Sequence, residues 1–359
     1  AKIVDGTILN VDINASAAIA GSKISPTFTT DGSFNSVSIG KGANSVAGNT
    51  VLGESALDAA VSGENNTAIG KDALTANTSG QRNIAVGSQS LLSNTTGNKN
   101  VGIGYEALGD NTTGLENVAI GHAALEKNTT ASNNVAVGSG ALAVNTTGAN
   151  STAVGANALD AQTTGGNNTA IGYLAATSLT TGTSNTALGQ SALEGCVDGT
   201  NNVAIGYETG TADWGNNNVG VGYRALKVNT ASNNTAVGES AMLTSTTATD
   251  CVAVGREALK RLTTGDDNTA IGTEAGKEIT TGARNTAVGY LSQFTQTTGS
   301  NNTSMGESSL KLLTTGDSNT CIGRESGKYI TTASNNTAVG NETLKLNTTG
   351  TENTAVGTF

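Results

Sequence analysis

Asn66-Thr67-Ala68-Ile69-Gly70 is followed by Lys71-Asp72-Ala73-Leu74-Thr75-Ala76-Asn77-Thr78-Ser79-Gly80. After Gln81 and Arg82 the phrase begins again as Asn83-Ile84-Ala85-Val86-Gly87. The phrase ends at Gly70 and then every 17 residues as far as Gly206, and it runs with the same spacing from Gly238 to Gly357. Two coils of 16 residues, ending at Gly222 and Gly238, join the two series. Earlier motifs end at Gly40 and Gly53, only 13 residues apart, which gives 20 motifs in all. Self-similarity at a fixed period is the signature of a stacked repeat architecture.

Numbering one repeat from its Asn, position two is always β-branched and position four is aliphatic or Met, as in Thr67 and Ile69 or Thr303 and Met305. Position three is small: Ala68, Gly102, Ser304, Cys321. Period-two alternation puts positions two and four on one face of a short β-strand and position three on the other. The small residues imply that something approaches that face closely, and Gly at position five fits a sharp turn with positive φ.

So short a strand, repeating this often, does not make a meander of reliable register. A solenoid brings like onto like in parallel. Asn then lies on Asn, and stacked Asn ladders stabilise parallel strands. Position one is Asn in 17 of the 19 motifs from Asn49 onward, Ser151 and Cys251 being the exceptions. Pro cannot donate to a ladder, and the only one, Pro26, precedes the first coil.

The second half of the repeat carries Leu at position nine, as in Leu74, Leu91, Leu108 and Leu125. Ala176, Gly276 and Gly327 lack it, and those coils carry Leu179, Ile279 and Ile330 at position twelve, where Asn77 and Asn94 stand elsewhere. Positions nine and twelve therefore border one apolar space, and Ile279 and Ile330 are expected beside Leu259 and Leu310. Gly210 also lacks the Leu, and Trp214 in the same coil is expected to fill the hole.

Composition excludes several classes. The chain has 359 residues, 48 of them Gly, with 13% charged and 3% aromatic residues. That is too little Leu, Phe and Ile for large enzyme cores. The abundance of Val, Ile and Thr speaks against disorder, and the lack of a three-residue period excludes collagen. A net charge of −10 argues against nucleic acid or anionic lipid as partner. No apolar run approaches the length of a membrane span. The start at Ala1 reads as a processed product or a fragment.

Candidate chemistry is sparse. His122 stands at variable position six and has no second His to share a metal. Asp110, Asp266 and Asp267 read as solvated turn charges. No pair of carboxylates stands out as flanking a glycosidic bond. Tyr105, Tyr173, Tyr207, Tyr223 and Tyr290 all fall at position six, as an exposed stripe with sugar contact as the alternative. Cys196, Cys251 and Cys321 lie three to four coils apart, too far for a disulfide, and are read as reduced packing residues. Thr pairs such as Thr95-Thr96 raise ice binding, but adjacent Thr point opposite ways. No catalytic, cofactor-binding or metal residue is assigned, and the chain is not expected to be an enzyme.

Ser36-Val37-Ser38-Ile39-Gly40-Lys41-Gly42-Ala43-Asn44 resembles the head repeat of trimeric autotransporter adhesins. The longer Asn-Thr-Ala-Val-Gly…Ala-Leu…Asn-Thr-Thr-Gly form is similar to repeats of phage tail fibres. Val4-Asp5-Gly6-Thr7-Ile8-Leu9-Asn10-Val11-Asp12-Ile13 and Ala17-Ala18-Ile19-Ala20-Gly21-Ser22-Lys23-Ile24 resemble tail-fibre linker modules, which favours the phage. The resemblance implies an all-β, left-handed parallel β-solenoid (β-roll) in a homotrimer, without catalytic residues, although the adhesin coil is shorter.

The expected organisation is an attachment module over 1–33, with a strand near Ile3–Ile13 and a helical turn near Ser16–Ile24, then a solenoid over 34–359. The expected role is an extracellular structural shaft of a tail fibre in the virion, engaged in host attachment. Its partners would be two further copies of itself, other fibre or virion proteins at the N-terminus, and a host glycan or receptor through a tip, with no nucleic acid and no membrane. A bacterial adhesin and an ice-binding solenoid are the alternatives. Burial within one chain falls short of its ordering cost, so Ala170, Ala187, Ala236 and Ala270 are expected near a subunit interface or threefold axis.

Overall fold

In the computed structural model, residues 32–34, 36–59 and 61–358 are described. The elements expected within residues 1–31 lie outside them. The fold is an all-β solenoid. Strand β3 (Thr50–Gly53) is followed once per coil by three-residue strands, from β4 (Thr67–Ile69) to β21 (Thr354–Val356). Each pairs in parallel with the next, residue on equivalent residue: Thr67 on Ile84, Ala68 on Ala85, Ile69 on Val86. The two short coils keep this register, with Val203 on Val219 and Val219 on Thr235. Eighteen steps from β3 to β21, at about 4.8 Å each, make a ladder about 86 Å long.

The first motif departs from the expectation. Strands β1 (Gly32–Phe34) and β2 (Val37–Gly40) form an antiparallel pair, and β2 runs antiparallel to β3, with Ile39 on Leu52. Residues 41–48 are too few to complete a circuit, so the chain turns back through Asn44 and Ser45, both at positive φ. Parallel stacking begins with β3.

Position three does not face another chain. Ala170, Ala187, Ala236 and Ala270 are buried inside their own coil, and the expectation of a subunit interface there is corrected. What approaches closely is the chain's own opposite wall. A Cβ placed on Gly102 at this position would lie 2.5 Å from Ser90 Oγ and 3.0 Å from Ala107 O. The bore is narrow: Ala at three and eight and Leu at nine fill it, flanked by the buried amides of positions one and twelve. The larger Val and Ile of positions two and four point outward.

The Asn ladder is continuous. The backbone N–H of each position-one residue donates to the side chain of the same position one coil earlier, from Asn66 on Asn49 Oδ1 (2.8 Å) to Asn353 on Asn336 Oδ1 (3.1 Å). Ser151 Oγ and Cys251 Sγ take the acceptor's place where Asn is missing. In the 17-residue coils most of these amides also donate to the carbonyl at position fifteen, as Asn83 does to Gly97 O at 2.8 Å, and those of the short coils, Asn202 and Asn218, reach position fourteen. Buried polar groups are tolerated when fully paired, and this column is.

Backbone bonds between coils continue through the turns. Leu91 N–H donates to Ala107 O (3.0 Å), Gln89 N–H to Lys71 O (2.9 Å) and Lys99 N–H to Gln81 O (2.9 Å). The turns achieve this by left-handed residues at positions seven, nine and seventeen, such as Gln89, Leu91 and Lys99. Alternation with residues of negative φ aims successive N–H and C=O groups along the rod. A left-handed non-Gly residue is unfavourable by roughly 1–2 kcal/mol, offset here by bonds that stack in every coil. At position five only Gly serves: Gly121 has φ of 135°, and a Cβ there would lie 2.6 Å from Gly138 O.

The apolar exchange stands as expected. Gly276 and Gly327 occupy position nine at φ of 56° and 59°. A Cβ on Gly276 would lie 3.0 Å from both Ile279 Cδ1 and Leu259 Cδ2; on Gly327, 3.0 Å from Ile330 Cδ1 and 3.1 Å from Leu310 Cδ2. Trp214 is buried over two glycines. Its ring would lie 2.5 Å from a Cβ on Gly210 and 2.7 Å from one on Gly220, and its Nε1 donates to Leu226 O at 3.0 Å.

Candidate functional surface

The outward face of the single sheet is its most distinctive surface. Every strand from β3 to β21 presents Thr, Val or Ile at position two and Val, Ile, Leu or Met at position four, and none presents a charge. Ile103, Ile120 and Ile171 are 38–39% exposed, so these side chains stand half in solvent along the whole rod. Two rows over about 86 Å make a stripe of about 900 Å² at strand spacing. The largest apolar patch of an ordinary monomer is about 300–600 Å². Position six on one side (Lys71, Tyr105, Arg256, Arg324) and position seventeen on the other (Arg82, Lys99, Glu116, Asp267) border it with polar and charged groups.

The residues singled out by sequence fall around this stripe. His122 is exposed and stacks on Tyr105, centroids 5.6 Å apart and planes at 16°. Tyr207 and Tyr223 stack at 5.8 Å and 8°, with Arg224 over the Tyr223 ring. Tyr173 and Tyr290 are exposed. Position six is thus brought into one column, but its rings meet only where two aromatic residues fall in adjacent coils. Asp266 Oδ1 accepts the N–H and hydroxyl of Thr249 (2.8 and 3.1 Å), a link between coils, and Asp110 pairs with Lys127 at 3.2 Å. Asp267 is exposed in the neighbouring turn. The three thiols are free and buried, and burial pushes them up, to about 12 for Cys196 and Cys321 and about 11 for Cys251. Among the described residues no group of His, Cys, Asp and Glu is placed to hold a metal ion, and no helix is long and apolar enough to cross a membrane.

Sequence reasoning missed the order in the charges. Glu257 binds Lys260 of its own coil (2.7 Å) and Lys277 of the next (2.6 Å), and Arg256 reaches Glu274 at 2.8 Å. Glu325 repeats this with Lys328 (2.9 Å) and Lys345 (2.5 Å). Hydrogen bonds from these lysines hold the carboxyls of Glu257 and Glu325 down at about 2. The signal was legible as Glu at position seven with Lys at ten in four coils: Glu257, Glu274, Glu325 and Glu342 with Lys260, Lys277, Lys328 and Lys345.

Comparison with protein-family models, curated proteins and solved structures found no match to this chain.

Proposed function

We propose that this chain is the structural shaft of an extracellular fibre, a homotrimer of left-handed β-solenoids packed along their sheet faces. It carries load and reach, not catalysis. The observation that supports this best is the uncharged outward stripe. At about 900 Å² it matches the roughly 800 Å² that each partner contributes to a standard stable interface, and no charge would need desolvation on assembly. Three copies meeting at these stripes would hide them along a common axis and leave the charged and amide-rich turns in solvent. The resemblance of the repeats to phage tail fibres makes a virion fibre engaged in host attachment the preferred setting, and a bacterial adhesin the alternative. Light scattering tests the assembly: a mass three times the chain's 35.5 kDa is expected, and a stable monomer at micromolar concentration would contradict it.

One observation favours a second reading. Thr at position two shares the flat outward face with an aliphatic residue two positions on, as in Thr169 and Ile171, in rows of regular spacing. Such a face presents methyl and hydroxyl groups at lattice-like intervals, as ice binding demands. Thermal hysteresis of the purified chain would establish that reading, and freezing at the ordinary point would dismiss it.

A further inference from the structure

The interior of the rod changes character in one coil. Between residues 285 and 301 the side chains at positions eight, nine and twelve are Ser292, Gln293 and Gln296, all fully buried. No other coil among the described residues is polar at all three places. The apolar core that begins at Val51 runs out at Ala287, and a second one starts only at Leu310.

The amide nitrogens of this layer are engaged with backbone carbonyls. Gln293 Nε2 donates to Thr286 O (3.1 Å) and Asn302 O (3.2 Å), and Gln296 Nε2 donates to Gly299 O (2.6 Å). These partners are carbonyls, so both amide orientations are fixed. Ser304 Oγ donates to Thr286 O at 3.3 Å, and the Ser292 hydroxyl is occupied with Ser304. Gln293 Oε1 and Gln296 Oε1 are buried acceptors that no protein donor reaches. In the stack Gln296 lies between Ile279 and Leu313, neither of which offers a hydrogen.

Positions nine and twelve border one space. In the coils of Gly276 and Gly327 the position-twelve side chain comes within 3.0 Å of a Cβ at position nine, and Gln293 and Gln296 occupy these same two positions. Gly276, one coil earlier, contributes no side chain to fill the layer.

We propose that Gln293 Oε1 and Gln296 Oε1 form a binding site for one buried water, which donates a hydrogen to each. Two neutral acceptors in a dry core call for a neutral double donor. Internal waters of folded proteins sit where buried polar groups would otherwise go unpaired. A hard cation would demand more oxygen ligands and a compensating charge, and none of the buried groups of this coil is a carboxylate.

Oxygen-17 relaxation dispersion, which counts long-lived internal waters, tests this on the intact chain and on Gln293→Leu/Gln296→Leu. The expected result is the loss of one such water per chain; an unchanged count would overturn the proposal. If the double variant fails to fold, a high-resolution crystal structure of the unmodified chain decides. Density for one water between the two oxygens supports the site. A dry site, or an anomalous signal there after rubidium soaking, refutes it.

Discussion

The coils from Asn66 to Gln162 and those from Cys251 to Ile330 use one backbone and two interiors. In the first series position twelve is a column of amides. Asn94 donates to Asn77 Oδ1 (3.0 Å), Asn111 to Asn94, Asn128 to Asn111, Asn145 to Asn128, and Gln162 closes the column on Asn145 Oδ1 at 3.1 Å. In the second series Leu262, Ile279, Leu313 and Ile330 stand there, interrupted by Gln296, and Gly replaces Leu at position nine in two of the five coils. The register does not change. Filling the bore requires a certain volume from positions nine and twelve together, and either chemistry supplies it. Amides need company, however. Inside the column each finds its neighbour, whereas Ser245, between Asn229 and Leu262, and Gln296, between Ile279 and Leu313, leave an oxygen unpaired. Polar burial here is a property of runs of coils, not of single residues.

The largest effect is expected where the two series agree. Ala119→Phe and Ala270→Phe press a ring into the same bore, and each should lower stability by at least about 3 kcal/mol, beyond ordinary overpacking. Calorimetry should show the loss in both, with assembly of the folded fraction unaltered, because position three faces inward.

Next comes Asn111→Leu, which puts the second chemistry into the first series. It removes the donor to Asn94 Oδ1 and the acceptor of Asn128 Nδ2. Asn128 Nδ2 keeps its bond to Ala131 O, so a loss of about 1–3 kcal/mol is expected, chiefly from Asn94 Oδ1 left buried and unpaired. A chemical denaturation midpoint equal to that of the unmodified chain would show the column to be dispensable.

Gly327→Ala works in the opposite direction. Its Cβ would meet Cys321 Sγ at 2.6 Å and Ile330 Cδ1 at 3.0 Å, so about 1–3 kcal/mol of overpacking is expected. Shortening Ile330 to Val in the same chain should recover part of the loss if the two positions share one space.

Much of this was legible in the sequence. The period, the strand triplets, the position-one ladder and the Ile279–Gly276 exchange follow from like stacking on like, and Trp214 from the missing Leu at Gly210. The direction of the strand faces was not. Ala119 is less hydrophobic than Val118 or Ile120, and only the width of the bore, set by turns folded through left-handed residues, puts it inside. Asn at position seventeen, as in Asn133 and Asn167, hinted at those turns, but Leu at position nine concealed them, since a buried Leu rarely adopts positive φ. The charge network escaped notice because its partners lie a coil apart.

The smallest effect separates the series by acid. The clusters of Glu257 and Glu325 belong to the later coils. A carboxyl held at about 2 by its lysines stabilises the fold above the unfolded value near 4.3, and that contribution fades as pH falls through 4 towards 2. Melting temperature should stay level from pH 7 to 5 on this account. Glu257→Gln/Glu325→Gln should flatten part of the decline below pH 4; an identical acid profile would remove the clusters from the account.

Assembly through the outward stripe is tested most directly by sedimentation equilibrium of the unmodified chain beside Ile120→Asp/Ile171→Asp. Both substitutions lie on the exposed face and leave the bore untouched. The expected result is three chains for the first and one folded chain, judged by circular dichroism, for the second. A single chain in both, or three in both, would contradict the stripe as the face on which the shaft is built.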